Sequence, residues 1–86
     1  MELSFIAINY PLILGCMNKN RQNQRKLYKL LSPFLYTKIL EEGYTENEAE
    51  EVLQNLFIEI LNCLHQYNEE DLFEDWCMQV FKRMKR

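Results

Sequence analysis

Beyond position 18 the chain alternates apolar and polar residues with the period of α-helices, and three stretches can be marked off. In the first, a polar and basic run (Arg21, Arg25, Lys26) leads into Leu27, Leu30, Leu31, Phe34, Leu35 and Ile39. Their spacing of three and four defines one face of a helix predicted to run to about Glu42. Pro33 stands inside it and removes the backbone bond to the Lys29 carbonyl, so a kink rather than a break is expected. Gly43 can end the helix in a left-handed cap.

The second stretch carries the strongest signal. Thr45-Glu46-Asn47-Glu48 has the form of a capping box, and the acidic first turn suits the positive end of a helix dipole. Ala49, Val52, Leu53, Leu56, Phe57, Ile60, Leu61 and Leu64 then make a continuous apolar stripe, opposite Glu50, Glu51, Gln54, Asn55, Glu59 and Asn62. A helix over about 46–66 is predicted. After a loop at Tyr67-Asn68-Glu69-Glu70, Asp71 or Asn68 can cap a third helix whose buried stripe is Leu72, Phe73, Trp76, Cys77, Val80, Phe81 and Met84. Its charge is divided lengthwise, acidic over 69–75 and basic at Lys82, Arg83, Lys85 and Arg86. That division favours the helix dipole at both ends, whether or not the cations bind anything. No strand alternation, repeat or low-complexity run is present.

The expected architecture is therefore all-α, a small three-helix bundle over 19–86 with an extra apolar segment at 1–18. Phe57, Phe73 and Trp76 are expected to anchor the core. The leading segment (Leu3, Phe5, Ile6, Ile8, Leu12, Ile13, Leu14) is too short to span a bilayer, which takes roughly twenty apolar residues. It carries Glu2 where a signal peptide would be basic, and Pro11 interrupts it. Two readings stay open: a short strand or helix patching the bundle, or a true translation start at Met17.

Composition sharpens this picture. Eighty-six residues, 48% hydrophobic with eleven aromatics and two glycines, make one small domain rich enough for a packed core. Net charge is −3, from 10 Lys+Arg against 13 Asp+Glu, so any grip on nucleic acid must come from a local patch. Cys16, Cys63 and Cys77 match no zinc spacing, and an odd number argues against a disulfide framework. Core packing of reduced thiols in the cytoplasm is expected. His65, the only histidine, reads as a helix-boundary residue. The carboxylates lie on solvated faces with no paired base, ligand set or phosphate loop, so no enzymatic chemistry, metal or cofactor is expected.

Three motifs carry a family likeness. Leu27-Tyr28 followed by Ser32-Pro33-Phe34-Leu35-Tyr36 resembles the opening helix of region 2 in the extracytoplasmic-function sigma factors of bacteria. Ala49-Glu50-Glu51-Val52-Leu53-Gln54-Asn55-Leu56-Phe57 resembles that family's Ala-Glu-Asp-Leu-Val-Gln-Glu-Val-Phe motif, in step with the first and without a gap. Phe73-x-x-Trp76 resembles the Phe-x-x-Trp-Leu opening of the last region 2 helix. The likeness covers 25–86.

The resemblance implies a sigma region 2-like domain that docks on the coiled coil of the RNA polymerase β′ clamp and contributes to transcription initiation at the promoter minus-ten element. Glu51, Gln54 and Asn55 fall at the family's polymerase-contacting positions and share one helix side. A carboxylate and two amides suit pairing with arginine and backbone groups. On the residues alone, they need only solvate the outer face. The DNA side matches less well: Asn68-Glu69-Glu70-Asp71, with Glu74 and Asp75, would repel phosphates. Lys82, Arg83, Lys85 and Arg86 remain as candidate DNA contacts, salt-dependent and blind to sequence. The chain carries no region 4, and its last helix stops a turn or two early against the family pattern. Promoter binding is therefore expected to be weak without polymerase or a segment from another polypeptide. Two alternatives are a regulatory fragment that binds polymerase or an anti-sigma protein without melting DNA, and a generic helical interaction or self-assembling module. No membrane partner is expected.

Overall fold

The computed structural model describes residues 8–85, so Leu3, Phe5, Ile6 and Arg86 lie outside the described residues, as does the side chain of Lys85. The described chain is helices joined by short connections and has no strand, in agreement with the all-α expectation. It contains the three expected helices and one more in the leading segment, where a short helix was one of the readings left open: α1 (Tyr10–Met17), α2 (Arg21–Glu41), α3 (Glu46–Cys63) and α4 (Phe73–Lys85).

The added element is α1, formed by the apolar leading segment. Asn9 caps it by accepting from the Leu12 N–H (2.9 Å). Pro11 lies in the first turn, where no intrahelical donor is required, so it begins the helix instead of interrupting it. Leu12, Ile13 and Cys16 point inward and share one core with the other helices. The chain reverses at Lys19, which is left-handed (φ 64°), and Asn20 caps α2 by accepting from the Asn23 N–H (2.9 Å). Gly15 lets α1 and α2 approach closely, since a Cβ there would collide with the Asn23 side chain.

Along α2, Leu27, Leu31, Leu35 and Ile39 recur at four-residue steps and are all completely buried. Leu30 and Phe34 flank this row and are half-buried. The helix runs through Pro33 without a break. Pro33 and Lys29 are both exposed, so water can replace the donor that proline removes. Gly43 follows the helix with φ 103°, the positive value expected of a glycine cap.

The capping box of α3 is complete. Thr45 Oγ1 accepts from the Glu48 N–H (3.2 Å), and Glu48 Oε1 accepts from the Thr45 N–H (2.9 Å). Ala49, Leu53, Leu56 and Ile60 face α2 and the core. The α-helix ends at Cys63, three residues before the predicted limit. Leu64–Gln66 tightens into a 3-10 turn that keeps Leu64 buried.

Phe73, Trp76, Cys77, Val80 and Phe81 bury α4 as expected. Tyr67 braces its start, with ring centroids 5.1 Å from Phe73 and 5.5 Å from Trp76. Neither proposed cap residue performs that task. Asn68 Oδ1 instead accepts from the Glu70 N–H (2.9 Å), and the Asp71 carbonyl accepts from the Tyr67 hydroxyl (2.7 Å).

Three burial expectations are corrected. Leu72 is 67% exposed, because it precedes the first helical residue and contributes only its carbonyl, to the Trp76 N–H. Met84 is 40% exposed in the last turns of α4, at the edge of a groove lined by polar (Glu59, Gln66, Arg83) and apolar (Cys63, Val80) side chains alike. Phe57 is half-buried and not a core anchor. It lies about 100° around the helix from inward-facing Leu56 and packs edge-to-face on Tyr28 at the rim of the α2–α3 seam (5.0 Å, 75°).

Leu35→Ala should lower the unfolding free energy by about 2–5 kcal/mol, and Thr45→Ala by about 1 kcal/mol. Leu72→Ser should change it by less than about 0.5 kcal/mol. Urea unfolding followed by circular dichroism measures all three.

Candidate functional site

The α3 capping box fixes where the helix starts, and its buried row of Ala49, Leu53, Leu56 and Ile60 fixes which residues face outward. From that start Glu51, Gln54 and Asn55 stand three and four residues apart and are all exposed. Among the described residues their side chains make no ion pair or hydrogen bond. Helix α1 lies against α2 and the 3-10 turn, leaving this outer face of α3 open. The structure thus brings the three predicted docking residues together on one accessible surface.

Beside them runs a shallow groove of about 370 Å³ lined by Tyr28, Ser32, Tyr36, Glu50 and Gln54, with Pro33 and Leu53. The Tyr36 hydroxyl is pushed above its ordinary pKa by loss of solvent, then by the nearby Glu46 and Glu50 carboxylates. Tyr36 and Gln54 line the same groove. Reasoning from the chain alone left Tyr28 and Tyr36 without a role at this face. Their signal was present, since Tyr28, Ser32 and Tyr36 recur at four-residue steps on one side of α2.

The proposed DNA contacts lie elsewhere. Lys82 and Arg83 are exposed in the last turns of α4, Lys85 is the final residue of that helix, and Arg86 lies outside the described residues. Glu74 and Asp75 occupy the first turn of the same helix, and the loop before it exposes Glu69, Glu70 and Asp71. From Asp75 to Lys82 is about 10 Å along the axis at 1.5 Å per residue. The acidic loop is held down by the Tyr67 hydroxyl and the buried Phe73 and Trp76 rings.

Charge is also sorted along the chain. No Asp or Glu occurs in positions 3–40, which hold six of the ten Lys and Arg residues. Positions 41–75 hold twelve of the thirteen Asp and Glu residues and no Lys or Arg. Helix α2 is consequently basic, whereas α3 and the loop before α4 are acidic.

Among the described residues no group of three or more His, Cys, Asp and Glu is placed to hold a metal ion, and no helix is long and apolar enough to cross a membrane. His65 is exposed in the 3-10 turn. Comparison with protein-family models, with curated proteins and with solved structures finds no match for this chain.

The cysteines behave as packing residues. Burial pushes the Cys16 thiol up to about 11 from an ordinary 9.0. Cys77 is raised by burial and then by Glu74, and Cys63 by burial and then by its hydrogen bond to Glu59 (3.4 Å). An acid held protonated in the folded state but free to ionise when unfolded favours unfolding once the pH exceeds its ordinary value. Stability should therefore fall as pH rises through 9 toward 11, by denaturant titration at each pH. At neutral pH a thiol reagent should label half-exposed Cys63 first, and Cys16 and Cys77 only as the fold opens, read by mass spectrometry.

Proposed function

We propose that this protein is a sigma region 2-like domain that docks on the β′ clamp of RNA polymerase through the outer face of α3. What carries the reading is the exposed trio of Glu51, Gln54 and Asn55, at the positions the motif resemblance assigns to polymerase contact. A carboxylate and two amides without partners of their own in the described fold can be satisfied by arginine and backbone groups on another protein at little desolvation cost. The neutral Tyr36 hydroxyl widens the same surface. On this reading the chain works in the bacterial cytoplasm and does no chemistry itself. It acts by placing loop 67–72 and α4 near the minus-ten element.

A tagged form of the chain should capture bacterial core polymerase, and Glu51→Arg with Gln54→Ala should cut capture at least about tenfold, in line with the loss of one charged and one neutral hydrogen bond. Lys82→Glu should retain it. Undiminished capture by the double variant, or none by the parent, rules the reading out.

A second reading is favoured by Glu69, Glu70, Asp71, Glu74 and Asp75, which present one sign of charge where a promoter strand would pass. There the chain occupies polymerase, or pairs with an anti-sigma partner, without recognising the minus-ten sequence. Fluorescence anisotropy of a minus-ten single strand with polymerase and this chain separates the two. A preference over a scrambled strand supports initiation, and equal binding of both supports occupation alone.

A further inference from the structure

The basic half of α2 builds a second surface, which shares only Tyr28 with the groove beside the docking trio. Arg21, Arg25 and Lys29 follow one another at four-residue steps, so about 12 Å of one helix side carries three cations. They line an open groove of about 660 Å³ together with Gln24, Tyr28 and Phe57, and no carboxylate lines it. Its floor is aromatic, because the Tyr28 and Phe57 rings meet edge-to-face there. Among the described residues none of the three cations has an ion pair. The first turn of α2 contains no acidic residue, so the positive end of the helix dipole adds to the same potential.

Unpaired cations in a row beside half-buried rings that line an open groove are the combination that holds a flexible polyanion with flat, stackable groups. The cations follow the backbone and the rings take a base, largely without regard to sequence. A purely electrostatic anion site would not need the rings, and an apolar peptide would not need the cations. We propose that this groove on α2 binds single-stranded nucleic acid, with Arg21, Arg25 and Lys29 on the phosphates and Tyr28 and Phe57 stacking a base. The site lies apart from Lys82 and Arg83. It requires only the chain itself, with Tyr28 lining both this groove and the one beside the docking trio.

The test is anisotropy of a fluorescein-labelled short oligothymidylate titrated with the whole chain, without polymerase. Three phosphate contacts on a single strand predict that raising salt from about 50 to about 200 mM weakens binding about 20-fold. Arg21→Glu with Arg25→Glu and Lys29→Glu should abolish binding. Lys19→Glu with Lys26→Glu and Lys38→Glu changes net charge by the same amount off the groove, and should leave most of it. Tyr28→Leu should weaken binding at least about fivefold, the lower end for losing one stacked base. Circular dichroism establishes that each variant is folded, and if Tyr28→Leu is not, the two charge sets decide the matter. The proposal is overturned if the parent does not bind, if both charge sets lose binding equally, or if a duplex binds as tightly and folded Tyr28→Leu has no effect.

Discussion

The seam between α2 and α3 is the constraint on which the rest of this small protein depends. Leu27, Leu31, Leu35 and Ile39 on one side and Ala49, Leu56 and Ile60 on the other have no exposure to solvent. At roughly 25 cal/mol per Å² of apolar surface, these seven side chains supply a large part of the drive to fold. Helices α1 and α4 are then recruited to the same core, by Leu12, Ile13 and Cys16 from one and by Phe73 to Phe81 from the other. Because the seam fixes how α2 and α3 are rotated, it also decides which residues remain outside. Glu51, Gln54 and Asn55 are outward because Leu53, Leu56 and Ile60 are inward.

That dependence explains how much of the fold was legible in the chain. The α2 and α3 stripes are long, regular and bounded by strong punctuation at Gly43 and the Thr45–Glu48 box, so periodicity and capping agree. Errors gathered where a local signal was outweighed by surroundings that periodicity cannot describe. Leu72 and Met84 continue the α4 stripe in spacing, but one precedes the helix and the other falls in its last turn, where it is left 40% exposed. Phe57 is at the edge of its stripe, where a bulky ring packs on Tyr28 at the rim instead of entering the centre. Helix α1 was left between strand and helix because Pro11 reads as an interruption until Asn9 is recognised as the cap that makes it a start.

The candidate docking trio was singled out by the motif resemblance, and only its exposure on α3 follows from the stripe. The grooves could not be located from the chain. Each needs two helices to be brought together: Tyr36 with Glu50 and Gln54 in one case, and Arg25 with Phe57 in the other. Sequence spacing within one helix identifies a face, whereas the residue that completes the face from a neighbouring helix is known only once the seam is formed.

A net charge of −3 describes this molecule poorly, because α2 is mainly basic and the charges of α3 are all acidic, while α4 carries both signs at opposite ends. To a distant body it is a weak anion, but at close range it is an electric dipole that experiences a torque in any strong field. Such a molecule turns before it touches: a negative surface draws α2 forward, and a positive one draws α3 and the loop before α4. Encounters in the wrong attitude are thus discouraged before any side chain meets its counterpart. The bias fades as ions shorten the reach of the field to about 8 Å at physiological salt, less than the width of one helix with its side chains.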